Sequence, residues 1–526
     1  MPLGVLDDPS EQTQRTWHLD LSRAGGHAAV IGAPQSGRST VLRSLAAATA
    51  LTATPQQVSI YGLDLTGSGL TRIEGVPHVG GVATRSDPAR MQRLLEELQL
   101  MLAARERVFR EQGVDSLADL RARHAAGRLP ELPSAEVVLL VDGYGAVREE
   151  YERFEPVLAE LLQRGSGLGV HVVMTLTRWN ELRMAVQPLV GTRVELRLND
   201  PADSVVDRKL SQTIRAEHRG RAITEERRFV QIALPVMDDV DDDDVAEALA
   251  DLARRAATSW SGPGAAPIRL LPSDYEPSEL PDPFEEPDRV PFGLRQDTMQ
   301  PASLELGGRD QHLLVFGDSR SGKTTLLRGV VEGLVDRNTP DELVVAVMDS
   351  RGALAEVCPE DYLGGYATSA VAARSLAAAI ADELGKRQAS SDRTTGPRIV
   401  VVVDDFDILA SGGTQPLEPL LPYLPSARDL RLHVLLARPV AGLQRALFDL
   451  TLQAVRDTGG STFLMSGERS EGPIAPQVYA EPMTAGRGRL LRRGERSFVA
   501  QVAHFRGHDA PSPDAGATSP APAVTP

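Results

Sequence analysis

The sequence predicts an α/β protein made of two tandem domains, each with a mostly parallel β-sheet. The first observation is that the chain repeats itself along its length. The second is that short β-branched runs alternate with longer helical patterns within each repeat. Buried strands that alternate with helices are typical of parallel sheets covered on both faces. The third is a glycine-containing loop after the first core strand of each repeat, which predicts a pair of phosphate-binding loops.

The internal repeat is carried by matched segments that keep their order along the chain. The early segments share an offset of 285, whereas the later ones have smaller offsets of 262 and 260, so the second copy is shorter in its middle. Two homologous domains explain this pattern better than chance. The matched pairs are residues 19–31 with 304–316, 40–43 with 325–328, Asp64 with Asp349, 137–142 with 399–404, and 170–178 with 430–438.

Composition divides the chain into four parts. We predict a first domain over residues 1–256, a linker over 257–290, a second domain over 291–506 and a disordered tail over 507–526. The linker is rich in proline, glycine, serine and acidic residues, and the tail in alanine, proline and serine. Because an apolar cluster interrupts the polar linker, we hypothesise that residues 268–272 dock into an apolar pocket of the first domain, as a substrate peptide would.

The overall composition excludes several classes of protein. The 526 residues carry a formal net charge of −16, which disfavours non-specific binding to the phosphate backbone of a duplex. Aromatic residues are only 4% of the chain, too few to favour a stacking platform for single strands. Cys358 is the only cysteine, so an internal disulfide and a multi-cysteine zinc site are excluded. We therefore expect no nucleic-acid partner, no membrane span and a reducing compartment.

The second repeat contains a complete phosphate-binding loop. An apolar run over residues 313–316 precedes the loop, and a helical pattern over residues 325–334 follows it. Glycines let the backbone wrap a polyphosphate, Lys323 would reach its β- and γ-phosphates, and the Thr324 hydroxyl would ligate Mg²⁺. The predicted ATP-binding residues of this repeat are Gly317, Asp318, Ser319, Arg320, Ser321, Gly322, Lys323, Thr324 and Thr325.

A second motif supplies the carboxylates that this loop needs. The apolar run over residues 399–403 ends in Asp404 and Asp405. Asp404 is a predicted Mg²⁺ ligand, and Asp405 is positioned to orient an attacking water. Together with Lys323 they are the predicted catalytic residues. Strong ATPases with this kind of phosphate-binding loop usually have a glutamate at the second position, where this chain has Asp405. The sequence therefore leaves open whether this repeat hydrolyses ATP at more than a weak rate.

The loop of the first repeat is degenerate. Arg38 stands where the lysine belongs, and a broad planar guanidinium is a poor substitute for a compact ammonium group. The strand that should carry two carboxylates ends in Asp142 followed by Gly143. We predict that this repeat does not hydrolyse ATP, that Ser39 and Asp142 are its metal ligands, and that nucleotide binding stays open. Its predicted ATP-binding residues are Gly32, Ala33, Pro34, Gln35, Ser36, Gly37, Arg38, Ser39 and Thr40.

In each repeat, one arginine follows the strand predicted to lie next to the strand before the phosphate-binding loop. Arg178 comes after residues 170–176, and Arg438 comes after residues 432–436. Either residue could sense a γ-phosphate or act as a finger on a neighbouring subunit's nucleotide. Surface arginines in an arginine-rich chain explain them equally well, and both interpretations remain open.

At these motifs the chain resembles the FtsK/SpoIIIE-type ATPase domains of EccC, the motor of type VII (ESX) secretion. The resemblance covers nearly everything before the tail and corresponds to the second and third ATPase domains of that family. It implies a RecA-like fold, ATP and Mg²⁺ as ligands, and assembly into a hexameric ring. Segments that carry it include residues 2–8, 195–201, 220–222, 269–272, 317–324, 362–369 and 466–472.

The resemblance also implies a function and partners. It implies a cytoplasmic ATP-binding component of a secretion motor, peripheral to the inner membrane, that recognises WXG-type substrates through their C-terminal signal peptide and regulates or drives their export. A membrane-anchored EccC half, or other core components of the system, would be its partner, and the chain is either a soluble half or a fragment. Two alternatives stay open, an FtsK-like DNA translocase and a non-hydrolytic nucleotide-gated adaptor.

Overall fold

The computed structural model describes residues 1–22, 25–67, 69–237, 244–282, 289–390 and 396–505. The chain divides into two units, Met1–Leu270 and Leu271–Pro526. The predicted tail at residues 507–526 lies outside the described residues, as do residues 283–288 of the predicted linker.

The first unit is built on a ten-stranded sheet. Its strands are β1 (Pro2–Asp8), β2 (Thr13–His18), β3 (Ala28–Ile31), β4 (Val58–Asp64), β5 (Val79–Thr84), β6 (Glu136–Asp142), β7 (Val170–Leu176), β8 (Thr192–Glu195), β9 (Arg221–Thr224) and β10 (Phe229–Ile232). Its helices are α1 (Arg38–Thr52), α2 (Pro88–Gln112), α3 (Leu117–Ala125), α4 (Gly145–Glu149), α5 (Glu155–Arg164), α6 (Arg208–Ser211) and α7 (Val245–Ser259).

The second unit contains a sheet of the same size and a short hairpin. Its strands are β11 (Val290–Arg295), β12 (Pro301–Leu304), β13 (His312–Phe316), β14 (Leu343–Asp349), β15 (Leu363–Ala367), β16 (Arg398–Asp404), β17 (Leu432–Arg438), β18 (Gly460–Met465), β19 (Pro473–Ala475), β20 (Val478–Tyr479), β21 (Arg487–Leu491) and β22 (Phe498–Val502). Its helices are α8 (Lys323–Val335), α9 (Ala370–Ala389), α10 (Phe406–Leu409), α11 (Leu443–Ala446) and α12 (Leu450–Asp457).

The two sheets have the same topology, which confirms the predicted repeat of α/β domains. The strand order is β2-β1-β10-β9-β8-β3-β7-β6-β4-β5 in the first unit and β12-β11-β22-β21-β18-β13-β17-β16-β14-β15 in the second. In each sheet the last six strands of that order are parallel, and the first four extend it in antiparallel fashion. Each phosphate-binding loop therefore follows a central parallel strand, at the carboxyl ends of the strands, where ligands bind in such sheets.

Both faces of each sheet are buried, which explains the continuous apolar runs in the sequence. In β6, Val137, Leu139 and Val141 pack into one core cluster, while Val138 and Leu140 pack into another on the opposite face. Successive side chains of a strand point to opposite faces, so a strand covered on both sides has no polar position to alternate with.

The longer middle of the first repeat has a structural origin. The first unit carries the 25-residue helix α2 and then α3, whereas the second unit carries the 20-residue helix α9 at the matching place. The segment around α3 has a small core of its own, formed by Val108, Val114, Leu120, Leu129 and Leu132. This additional cluster lets the extra residues fold without disturbing the sheet.

The strand register corrects one sequence match. Leu176 pairs with Ile31, and Arg438 pairs with Phe316, the last residues of the strands that precede the two loops. Leu176 is therefore the structural counterpart of Arg438. Arg178 lies two residues farther along, beyond the end of β7, so the predicted equivalence of the two arginines is wrong.

The docking hypothesis for residues 268–272 is correct for only one end of the segment. In the first unit, the Ile268 amide donates to the Gly80 carbonyl at 3.1 Å and its side chain packs against the core. Leu270 is 42% exposed. Leu271 is buried in the second unit, where Arg487 donates to its carbonyl at 3.0 Å. The apolar cluster thus does not dock as one peptide into one pocket.

Candidate nucleotide-binding sites

The two phosphate-binding loops have nearly identical backbones. The residue before the helix is Gly37 (φ 104°, ψ 10°) in the first repeat and Gly322 (φ 105°, ψ 14°) in the second. This left-handed conformation favours glycine, which has no Cβ to clash. Gln35 and Arg320 also match, with φ values of 61° and 62°. In both loops, the first amides of the following helix have no carbonyl partner within the helix, which is the arrangement that binds anions.

The second site brings together the side chains that the sequence predicted. The Lys323 ammonium group is mostly buried and donates to the Asp318 carbonyl at 3.1 Å. The Thr324 hydroxyl donates to Asp404 Oδ2 at 2.6 Å. A helix residue and a strand-end residue about 80 positions apart therefore meet at the point where the motifs place the metal.

The electrostatics of Asp404 fit a bound cation. Burial raises the pKa of this carboxyl above its ordinary value, and the negative charges of Asp405 and Asp349 add to the rise, while the hydrogen bond from Thr324 opposes it. Among the described residues, no group of three or more histidine, cysteine or acidic side chains could hold a metal alone. Mg²⁺ is commonly held by one or two carboxylates together with substrate phosphates, and Thr324 and Asp404 fit that requirement.

Asp405 adopts an unusual backbone conformation. It has φ 48° and ψ 50°, in the left-handed region that non-glycine residues rarely occupy. Its carboxylate forms an ion pair with Arg351 Nε at 2.6 Å. The matching residue of the first repeat is Gly143, with φ 85°. The second repeat therefore keeps an acidic side chain at a position where glycine is the relaxed choice.

The first site contains the same backbone but a different arrangement of side chains. Arg38 Nη1 donates to the Thr177 hydroxyl at 2.8 Å, just beyond the end of β7. Burial lowers the pKa of Arg38, while the charges of Asp142 and Glu181 raise it. Asp142 is buried and accepts a hydrogen bond from Thr175 Oγ1 at 2.6 Å. Thus a guanidinium group reaches across the loop of this site.

The remaining predicted residues of the first site lie in the loop and in the first turn of α1. Ser39 is half-buried in the first turn of α1, and Ser36 is buried inside the loop. Thr40 accepts a hydrogen bond from Arg43 Nη2 at 3.2 Å. Ser39 thus takes the helix position that Thr324 has in the second repeat, and Asp142 takes the strand position of Asp404.

The arginines flanking the sites have distinct surroundings. Arg178 is exposed and forms an ion pair with Asp203 at 3.4 Å. Arg438 is 8% exposed, and its guanidinium donates to the carbonyls of Pro439 and Ala441 at 3.2 Å. Burial lowers the pKa of Arg438, while Asp407 and Asp449 raise it. Of these two arginines, Arg178 alone has the solvent exposure expected of a surface arginine or of one that reaches the nucleotide of a neighbouring subunit.

The second unit also has an apolar groove that the sequence did not indicate. The groove has a volume of about 660 Å³, and Phe448 on its wall is 75% exposed. Leu450, which begins the adjoining helix α12, is 64% exposed. A concavity with an exposed aromatic side chain on its wall, and a further exposed apolar residue near it in the chain, is typical of an interaction site. The lining residues are Gln444, Arg445, Leu447, Phe448, Gln453, Arg456, Pro473, Ile474, Ala475 and Pro476.

The sequence pattern of the FtsK/SpoIIIE family matches residues 3–233 and 280–396. The chain belongs to the FtsK/SpoIIIE family. Within it the chain is of the EccC type. It is 34% identical over 496 residues to the ESX-1 secretion system protein EccCb1 of Mycolicibacterium smegmatis, covering 90% of this chain and 83% of that protein.

A longer relative and a solved structure agree with this assignment. The chain is 36% identical over 513 residues to the ESX secretion system protein EccC of Thermomonospora curvata, covering 95% of this chain but 39% of that protein. The solved structure of T. curvata EccC (ATPases 2 and 3) in complex with a signal sequence peptide matches with a TM-score of 0.79 at 35% identity, covering 96% of this chain and 93% of that one. The two units thus correspond to tandem ATPase domains of EccC.

Several features of the sites could not be recognised from the motifs alone. The contact of Arg351 with Asp405, and that of Thr175 with Asp142, join residues that only strand pairing brings together. The threonine at position 175 was visible in the sequence, but its role required the register between β6 and β7.

Among the described residues, no helix is long and apolar enough to cross a membrane.

Proposed function

We propose that the chain is the ATP-binding component of a type VII secretion motor, and that it recognises secreted WXG-type substrates and regulates or drives their export. The second repeat binds Mg²⁺-ATP through Lys323, Thr324 and Asp404. The observation that carries the proposal is the hydrogen-bonded pair of Thr324 and Asp404 beside Lys323, in a chain of the EccC type.

The chemistry of the second site supports ATP and Mg²⁺ as its ligands. The loop amides and Lys323 would hold the β- and γ-phosphates, and Thr324 and Asp404 would hold the metal. Bound Mg²⁺ would neutralise charge on the phosphates. Asp405 lies next to the metal ligand and, if it leaves Arg351, is the residue available to orient a water.

The apolar groove supports recognition of a peptide. A relative of known structure was solved with a signal sequence peptide. Phe448 and Ile474 would cover apolar side chains of such a peptide, while Arg445 and Arg456 would face its acidic groups. We therefore assign this groove to the C-terminal signal peptide of a WXG-type substrate.

The proposal also includes the cellular setting. The chain acts in the cytoplasm, held at the inner membrane by a membrane-anchored EccC half or by other core components, and assembles into a hexameric ring. Support comes from the EccCb1 relative, of which this chain covers 83%.

Peptide binding tests the substrate-recognition part of the proposal. A fluorescently labelled peptide with the C-terminal signal sequence of a WXG-type substrate should bind the purified chain saturably, as measured by anisotropy. Phe448→Ser should weaken binding by about tenfold or more, because a buried aromatic contact contributes roughly 1.5–3 kcal/mol.

Val371→Ser is the matched control. Val371 is also 75% exposed, but it lies on α9 and does not line the groove. Its substitution should leave the dissociation constant unchanged. Absence of saturable binding to the unaltered chain, or equal loss in both variants, contradicts the assignment.

A further inference from the structure

The first phosphate-binding loop differs from the second in where its positive charge lies. Lys323 stays close to its own loop, with its ammonium group on the Asp318 carbonyl. Arg38 instead extends to the Thr177 hydroxyl, and the charges of Asp142 and Glu181 act on it. A permanently charged group with five donors therefore spans the space between the loop and the end of β7.

A second arginine adds to this charge. Arg43, on α1, lies close enough to Asp142 for the two charges to interact, and its Nε is buried with no hydrogen-bond partner among the described residues. Its counterpart Arg328 points elsewhere and donates to the Ala353 carbonyl at 2.6 Å. The metal-side carboxylate of the first site is thus already compensated by guanidinium groups.

Asp142 is also held in place by a neutral donor. Thr175 Oγ1 donates to its Oδ1 at 2.6 Å. Thr66 Oγ1 lies 3.5 Å from its Oδ2 but closer, at 3.3 Å, to Asp64 Oδ1. The register places Ala437 at the position of Thr175 in the second repeat, where a methyl group cannot donate to Asp404. Oδ1 of Asp142 is therefore engaged by a threonine of the neighbouring strand. Asp404 instead accepts from the Asp405 amide at 3.0 Å and from the hydroxyl of the predicted metal ligand Thr324.

The loop itself remains able to hold phosphates. Its backbone repeats that of the second loop at Gln35 and Gly37. Ser36 is 7% exposed, and its hydroxyl, buried inside the loop, has no hydrogen-bond partner among the described residues. An unpaired buried hydroxyl is costly unless a ligand completes it. The first loop thus combines an intact cradle with a cation of its own.

From this contrast we infer that the first repeat binds ATP without a divalent cation, with Arg38 and Arg43 supplying the positive charge that Mg²⁺ supplies in the second repeat. The inference rests on the proposed function for the identity of the ligand, and it replaces the sequence prediction of a metal at Ser39 and Asp142. A site of this kind holds its nucleotide as a structural ligand. The protein would then carry one metal-dependent and one metal-independent nucleotide.

Equilibrium titration with ATP, counting nucleotides bound per chain in Mg²⁺ and in EDTA, tests the inference. The unaltered chain should bind two nucleotides in Mg²⁺ and one in EDTA. Lys323→Ala should bind one in both conditions, with an affinity that EDTA changes by less than about twofold. Arg38→Ala should bind one in Mg²⁺ and none in EDTA.

The outcomes separate this inference from the proposed function. If Lys323→Ala binds ATP only in Mg²⁺, or does not bind it at all, the first site is not metal-independent and the inference is overturned. If Lys323→Ala still binds two nucleotides, the assignment of the second site is wrong instead. Circular dichroism of each variant in both buffers verifies that losses of binding are not losses of folding.

Discussion

Position 405 shows how the two repeats diverge at single residues. Asp405 and Gly143 both have positive φ values, but only glycine adopts them without strain. A residue held in a strained conformation is frequently one that function requires. We interpret Asp405 as a retained functional group and Gly143 as the relaxed form of the same turn.

This interpretation predicts a trade between stability and catalysis at position 405. Asp405→Gly should raise the free energy of unfolding of the second unit by about 1 kcal/mol, because it removes left-handed strain. Any ATP turnover should fall, while ATP binding persists through Lys323 and Asp404. Urea unfolding and a phosphate-release assay measure the two effects.

Asp407→Gly is the control for the substitution itself. Asp407 lies in α10, outside the left-handed region, so its replacement by glycine should lower stability, since glycine is unfavourable in a helix. An equal loss of stability in both variants contradicts the strain argument.

At the scale of elements, one buried histidine in each repeat accepts a hydrogen bond from the backbone amide of the neighbouring strand. The Val172 amide donates to His27 Nδ1 at 2.9 Å, and in the second repeat the Val434 amide donates to His312 Nδ1 at 3.0 Å. A ring nitrogen that accepts a hydrogen bond carries no proton, so these histidines are neutral. The His27 bond connects the start of β3 to β7, and the His312 bond connects the start of β13 to β17. Both lie at the end of the sheet opposite the phosphate-binding loops.

The neutral histidines predict a loss of stability in acid. Burial lowers the pKa of His27 to about 4, of His312 to about 3 and of His433 to about 4, all below the ordinary value of 6.5. Protonation therefore favours the unfolded state. Their contribution to the free energy of unfolding should be fully present above pH 6.5 and should be lost as the pH falls from 6.5 to about 4. At pH 5 the loss should be roughly 2 kcal/mol for each histidine.

Urea unfolding at pH 7 and pH 5 measures this dependence. His312→Gln should reduce the difference in unfolding free energy between the two pH values, even though it lowers stability at pH 7. A pH dependence identical to that of the unaltered chain would show that His312 does not carry it.

The segment at residues 265–269 gives a prediction of its own. Ala265 and Ile268 donate their amides to Pro77 and Gly80, and Ile268 packs on the first unit's core. Ile268→Asp should release this segment and speed hydrogen exchange of both amides by about tenfold. Leu270→Asp, at an exposed position, should not. Unchanged exchange in Ile268→Asp contradicts the docking.

Elements differ in how far the sequence alone could define them. Both loops, Asp404 and Asp142 were predictable because each motif is continuous in the chain. The equivalence of Arg178 and Arg438 failed because counting along the chain does not measure strand register, which pairs Leu176 and Arg438 with matching residues. The groove around Phe448 was not predictable, since its walls come from α11, α12 and β19.

For the molecule as a whole, the main feature is one fold used twice with different sites. The two sheets share their topology and their loop backbones. Their chemistry differs because the lysine of one site is an arginine in the other, and because Thr175 faces the carboxylate in one repeat and Ala437 takes that place in the other. We therefore propose for the whole chain a Mg²⁺-ATP site in the second repeat and, in the first, a site that keeps the phosphate-binding backbone but not the metal chemistry.

The most direct test compares Asp404→Asn with Asp142→Asn in titrations of ATP with and without Mg²⁺. Both substitutions remove one charge from equivalent strand ends with little change of shape. The account predicts that Asp404→Asn abolishes Mg²⁺-dependent binding of ATP, while Asp142→Asn leaves it intact. If Asp142→Asn abolishes it, or if Asp404→Asn does not, the assignment of Mg²⁺-ATP to the second repeat is contradicted.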